Sequence, residues 1–244
     1  MFGVLLLHSI FSTNLEMKAF ADYLQDQGLK TSNPLLPGHG TNPEDLENIS
    51  CEDWIEAADI ALKDLNSQCQ VTFVIGQVTS AALALYLASF HPELLGIVTL
   101  SGLLTLTRTQ RILKHAHMFL PRMIPWASEE SELEYSEHSL SILRKIKAYE
   151  KVPKKTLFEV DELLRKTRKR LKQINQPIYI MYASLSKNVD PRNSQIIFNG
   201  VNSPKKKLMS LGRGGGIMSL DEGHHIVFRE ALSFFWSCID LYQM

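Results

Sequence analysis

Apolar and polar positions alternate in a regular way over the first hundred residues. Val4 to Leu7 is a short unbroken apolar run, the pattern of a strand buried on both faces of a parallel sheet. A mostly polar stretch, Ser9 to Asn14, follows. Leu15 to Gln27 then carries Met17, Phe20, Ala21 and Leu24 at helical spacing, and Gly28 stands where a helix would be capped. Leu29 to Leu36 reads as a second strand, ended by the loop residues Pro37-Gly38-His39-Gly40. Ser50 with Asp53 three residues on is a capping box, and Trp54, Ala57, Ala58, Ala61, Leu62 and Leu65 form one apolar stripe behind it. Val71 to Ile75 is a third strand, Ala81 to Ser89 an apolar helix and Ile97 to Leu100 a fourth strand. Strands alternating with helices predict a parallel sheet covered on both faces, an α/β fold.

The texture changes after Leu104. Residues 105 to 175 are rich in Lys, Arg and Glu and helical in pattern. Strand signals resume at Ile178 to Tyr182 and at Lys207 to Leu211, and Ile226 to Leu241 reads as a closing amphipathic helix. The pattern predicts a core built from residues 1–103 and 176–244, with a helical cap inserted at 104–175. The basic cluster Arg165, Lys166, Arg168, Lys169, Arg170 and Lys172 reads as a solvated helix face, because acidic residues are interspersed just upstream.

Charge narrows the partners. Lys plus Arg and Asp plus Glu number 26 each over 244 residues, so nothing in the balance points to nucleic acid or an anionic membrane. No apolar run approaches the ~18 residues of a membrane span. The apolar N-terminus is short and lacks a basic flank, so it does not read as a signal peptide. Cys51, Cys69 and Cys238 are odd in number and widely spaced, which suits free thiols in a reducing compartment. These features predict a cytoplasmic protein with no metal and no cofactor.

Several segments carry a resemblance. Val4-Leu5-Leu6-Leu7-His8-Ser9, Pro34-Leu35-Leu36-Pro37-Gly38-His39-Gly40-Thr41, Glu52-Asp53-Trp54, Gly76 to Leu87, Asn188-Val189-Asp190-Pro191 and Met218-Ser219-Leu220-Asp221 occur in this order. The chain resembles the carboxylesterases and monoacylglycerol lipases of the α/β-hydrolase superfamily. The resemblance implies a mostly parallel sheet flanked by helices with a helical cap, and it implies that the N-terminal strands of the full fold are missing.

The family places a serine in a sharp Gly-x-Ser-x-Gly turn between strand and helix. Here the turn reads Gly76-Gln77-Val78-Thr79-Ser80, so the nucleophile position holds Val78. A β-branched residue tolerates the strained backbone of that turn poorly, so either the turn relaxes or its neighbours hold the strain. Counting back from Pro191 puts the acid at Ser186, and anchoring on Leu220-Asp221 puts the base at Gly216. Asp190 lies four residues too far along. His224 and His225 belong to the start of the last helix. The resemblance thus implies a hydrolase fold with all three catalytic positions replaced, a pseudoenzyme.

The resemblance leaves some binding features in place. Backbone N–H groups of Ile10 and Thr79 would form the oxyanion hole, although Ser9 and Ser12 stand where the family has glycine. His8 and His39 read as structural. Met118, Phe119, Met123, Ile124 and Trp126 would line an apolar pocket under the cap. The expected partner is a small apolar or acyl-type ligand, another protein or a second copy in a homodimer. The competing reading keeps activity through relocated groups, with Ser80 or Thr79 as nucleophile and His8 or His39 as base.

Overall fold

The computed structural model describes residues 1–106, 126–128, 137–149, 151–186, 189–212 and 217–243. Six strands form one parallel sheet: β1 (Phe2–Leu7), β2 (Lys30–Ser32), β3 (Val71–Gln77), β4 (Gly96–Leu100), β7 (Ile178–Ala183) and β8 (Lys206–Leu211). Their order is β2-β1-β3-β4-β7-β8. Two short strands, β5 (Trp126–Ser128) and β6 (Lys151–Pro153), pair antiparallel outside it.

Alternate side chains of the sheet feed two separate cores. Leu5, Leu7, Val74, Ile97, Ile178 and Ile180 face one side. There they meet α2 (Cys51–Gln68), α3 (Thr79–Ala88), α5 (Lys154–Arg170) and α6 (Arg192–Gly200). Val4, Leu6, Phe73, Ile75, Val98, Leu100, Tyr179 and Met181 face the other side, against α1 (Lys18–Asp26) and α7 (His224–Gln243). This is the period-2 alternation of a strand sandwiched between two helical layers. Helix α4 (Glu137–Lys145) sits apart, with Leu143 packed beside Ile217 and Leu220.

Two elements differ from the sequence expectation. The strand expected over Leu29–Leu36 is only Lys30–Ser32. Beyond it the backbone turns to bind side chains: Asn14 and Asn33 exchange side-chain-to-carbonyl hydrogen bonds, and the Leu36 N–H donates to His8 Nε2. Helix α5 lies within the stretch assigned to the cap, yet Val160, Leu163 and Leu164 are buried in the same core cluster as α3. Its basic residues are largely engaged by neighbours. Lys166 pairs with Glu52 and Arg165 with Glu162. Arg168 donates to the Leu104 carbonyl, and Arg170 donates to Ser89 and covers the Phe90 ring at 3.6 Å.

The topology fixes where a site can form. The connection after β1 runs to β2 on one side, whereas that after β3 runs to β4 on the other. The chain therefore leaves a crevice at the carboxyl ends of β1 and β3, the place where open α/β sheets hold their ligands. Leu7 is in register with Gly76, and Gln77 with Leu100, so His8 and Val78 emerge side by side at that rim. Among the described residues no helix is long and apolar enough to cross a membrane.

Candidate active site

At the rim, β3 runs into α3 through a single residue. Val78 has φ 51° and ψ −113°, a backbone conformation that β-branched residues rarely adopt. The strain is held, not relaxed. The Val78 N–H donates to the Leu100 carbonyl at 2.9 Å, and the Val78 carbonyl accepts from Leu103 N–H at 3.0 Å. Such a conformation costs on the order of 1–3 kcal/mol and persists only where its surroundings over-determine it. Gly76 makes the turn sterically feasible: a Cβ there would lie 2.2 Å from the Ser80 carbonyl oxygen and 2.7 Å from Ala81 Cα. Both are backbone atoms that cannot swing aside. Gly76→Ala is therefore expected to cost about 3 kcal/mol, read as a lower urea midpoint. An unchanged midpoint would mean that the turn is not held as described.

The Val78 side chain is half-buried and packs against the core cluster under α2 and α3. The two hydroxyls beyond it are engaged. Ser80 Oγ is fully buried and donates to the His8 carbonyl. Thr79 Oγ1 accepts the Ile10 N–H at 2.9 Å, and both residues are fully buried. Ile10, whose N–H was expected to face the cleft as an oxyanion donor, thus already has an acceptor from within the chain.

The histidines nearby are held as structural groups. His8 accepts Leu36 N–H at Nε2 (3.1 Å) and donates from Nδ1 to the Ser9 carbonyl (2.9 Å), which fixes the neutral tautomer. Burial lowers its pKa to about 3, and the neighbouring His39 adds to this. Carbonyls surround His39, with Leu36 and Pro37 at Nδ1 and Ile10 at Nε2 (2.6 Å). Burial lowers its pKa as well, against the pull of those carbonyls. His39 also stacks on Tyr149, whose hydroxyl donates to the Gly38 carbonyl. Trp54 fastens the same loop through a hydrogen bond from its ring to the Pro37 carbonyl.

Beneath the rim lies a buried polar group that the sequence pattern did not single out. Glu16 is fully buried. Its Oε1 accepts Ser9 N–H at 3.1 Å and the Gln77 amide, and its Oε2 accepts Ser9 Oγ at 2.6 Å. Gln77 also accepts Ser219 N–H at 3.0 Å, and the Ser219 hydroxyl donates to the Glu16 carbonyl at 3.1 Å. Burial raises the Glu16 pKa, while the hydrogen bonds from Ser9 and Gln77 oppose that rise. This network ties together the loop after β1, the turn before α3 and the loop before α7. Glu16 sits beside Met17 and Phe20 in an otherwise helical stripe, and nothing local distinguishes it from a solvated acid.

The remaining positions are dispersed. Ser186 lies in the loop after β7, half-buried, and its Oγ accepts Val189 N–H at 3.2 Å. Asp190 turns away to its neighbour: its carboxylate accepts Arg192 N–H and Nε–H, and the guanidinium holds its pKa below the usual carboxylate range. His224 begins α7 with its Nδ1 on the Asp221 carbonyl at 2.9 Å, and His225 is exposed. Gly216, Met118, Phe119, Met123 and Ile124 lie outside the described residues, and Trp126 is described only as backbone in β5. Cys51, Glu52 and Glu159 come together at the start of α2, where Glu159 accepts the Cys51 N–H and Glu52 pairs with Lys166. Burial, helped by Glu52, pushes the Cys51 thiol up to about 12. The donors there serve to cap the helix and to join α2 to α5.

Residues 3–214 match the family model described as serine aminopeptidase, S33. The chain belongs to this family. Within the S33 family it is an α/β-hydrolase of the carboxylesterase and monoacylglycerol-lipase kind. It is 30% identical over 238 residues to a thermostable monoacylglycerol lipase from Bacillus sp. (strain H-257), covering 96% of this chain and 90% of that relative. It is 24% identical to a carboxylesterase from Bacillus subtilis (strain 168), over 95% of this chain and 91% of the relative. Among solved structures, one from the metagenome-derived lipolytic enzymes LipS and LipT superposes with a TM-score of 0.87. The identity is 23%, over 97% of this chain and 94% of that one. A monoacylglycerol lipase from Paleococcus ferrophilus superposes with a TM-score of 0.80 at 18% identity, over 97% and 94%. Both structural likenesses establish the same fold for this S33 member.

Proposed function

We propose that this S33-family chain is a binding protein on a hydrolase scaffold, without serine-hydrolase turnover, whose cleft at the β1–β3 crevice takes a small apolar ligand. The observation that carries the reading is Val78. The turn that in a serine hydrolase aims a nucleophile into the cleft has the strained geometry of such an elbow and ends in an aliphatic side chain. No atom of that side chain attacks a carbonyl or carries a proton away. Ser186 supplies no charge to orient an imidazolium, and Gly216 supplies no base.

The relocated-group reading finds no support in the hydrogen bonding. Ser80 and Thr79 each have a buried partner, and both nitrogens of His8 and of His39 lie against backbone groups. The hydroxyls and rings that would have to react are committed to holding the rim together.

Loss of a serine nucleophile costs on the order of a millionfold in turnover. Purified protein at high concentration is therefore expected to hydrolyse p-nitrophenyl butyrate no faster than a mock purification, and to take up no fluorophosphonate label. Turnover that scales with protein and is blocked by the fluorophosphonate would refute the proposal.

A further inference from the structure

At the rim, where the proposed cleft would lie, Ile10 and Thr79 make a buried contact. The Ser9–Ile10 peptide unit is fixed on both edges. Its carbonyl accepts from His8 Nδ1 at 2.9 Å and from Ser12 N–H at 3.1 Å, and its N–H donates to Thr79 Oγ1 at 2.9 Å. The peptide units on either side are held too. Ser9 N–H is bound by Glu16 Oε1 at 3.1 Å, and the Ile10 carbonyl meets His39 Nε2 at 2.6 Å. The loop therefore cannot turn the Ile10 N–H away from the elbow, and Thr79 is pinned as the first residue of α3.

We propose that the Thr79 hydroxyl is a built-in occupant of the donor at the elbow. It makes the cleft select against ligands that present a carbonyl or carboxylate oxygen there. This inference rests on the reading of the crevice as a binding site. A donor fixed in this way is satisfied either by an oxygen of the ligand or by one of the protein's own. The internal oxygen is attached to the residue next to Val78, and it is already in place without loss of translational freedom. A ligand oxygen that displaced it would strand a fully buried hydroxyl, a penalty on the order of tenfold to a hundredfold in affinity. Thr79 is thus a specificity-determining residue. The unaltered cleft takes neutral apolar molecules, and removal of one hydroxyl turns it toward carboxylates.

The test compares the unaltered protein with Thr79→Ala and Thr79→Ser, using octanoate as the carboxylate and N-phenyl-1-naphthylamine as an uncharged apolar dye. The Ile10 amide is followed by ¹⁵N NMR. The dye is expected to bind all three proteins. Octanoate should bind Thr79→Ala at least tenfold more tightly than the other two and should shift the Ile10 amide only in that variant. Octanoate affinities within twofold of each other across all three would overturn the proposal. So would fast hydrogen exchange of the Ile10 amide in the unaltered protein, or an octanoate-induced shift of it there, and this arm needs no variant to fold. Failure of the dye to bind any of the three would instead sink the apolar-cleft reading, leaving the role of the hydroxyl to the Ile10 signal.

Discussion

Restoring the three catalytic side chains together, as Val78→Ser, Ser186→Asp and Gly216→His, is expected to raise esterase turnover above background, whereas each change alone leaves it there. Residues of a triad act as a unit, so single restorations gain little: a serine without a base stays protonated, and a histidine without a nucleophile has nothing to activate. The backbone favours the attempt. The elbow has φ 51° at position 78, so a serine placed there inherits the strained backbone setting such nucleophiles use. Thr79 works against it. With its hydroxyl on the Ile10 N–H, a developing oxyanion finds one donor already taken. Loss of one such donor costs about a hundredfold to a thousandfold in rate. Adding Thr79→Ala to the triple variant should recover a factor of that order in kcat, with a smaller change in KM, because the interaction forms only in the transition state. Steady-state kinetics on p-nitrophenyl butyrate measure both steps. A quadruple variant that is folded, by circular dichroism, and still no faster than the unaltered protein would show that these four side chains do not suffice to build a working site.

Acidification is expected to remove about 5 kcal/mol of stability through His8 alone. The buried ring holds its neutral form down to about pH 3, whereas in the unfolded chain it takes up a proton near its ordinary value of 6.5. Between those two values the unfolded state binds the extra proton. The contribution is therefore complete above pH 6.5, declines as the pH falls and is gone at about 3. Set against the 5–15 kcal/mol typical of a whole domain, this is a large share. His39, also lowered by burial, pulls in the same direction. Glu16 pulls the other way. Its raised pKa means that it contributes stability in acid, below its ordinary 4.5, and loses that contribution as the pH rises through its folded-state value. Urea denaturation at pH 7 and pH 4.5 of the unaltered protein and of His8→Asn isolates the first group. The variant should show a markedly shallower decline, whatever its stability at pH 7. Equal slopes in the two proteins would mean that His8 is not held neutral in the fold.

The buried Glu16 group ties the loops of the rim together from beneath. In a working triad, proton-carrying bonds across the cleft join the nucleophile turn to the loop that bears the base. Here the corresponding loops are joined underneath by Gln77, whose amide donates to the Glu16 carboxylate and to the Ser219 hydroxyl and whose carbonyl accepts Ser219 N–H. The fully buried carboxylate takes donors from the loop after β1 and from the end of β3, so loosening either one would leave a buried polar group unpaired.

The amino-acid pattern alone determined the alternating strands and helices, the capping box at Ser50 and the identity of the atoms at positions 78, 186 and 216. These are local facts: a period of two or 3.6, a side chain that reaches three residues on, and the presence or absence of a nucleophilic atom. Only the tertiary structure decided that Thr79 occupies the Ile10 donor, that Glu16 gathers Ser9 and Gln77, that α5 packs with the core, and that β2 ends at Ser32. The partners in those contacts are far apart along the chain, 69 residues for Ile10 and Thr79 and 142 for Gln77 and Ser219. A polar side chain has the same local signature whether it ends in water or in a buried hydrogen bond. Which of the two it meets is set by the crevice that the reversal of strand order opens between β1 and β3.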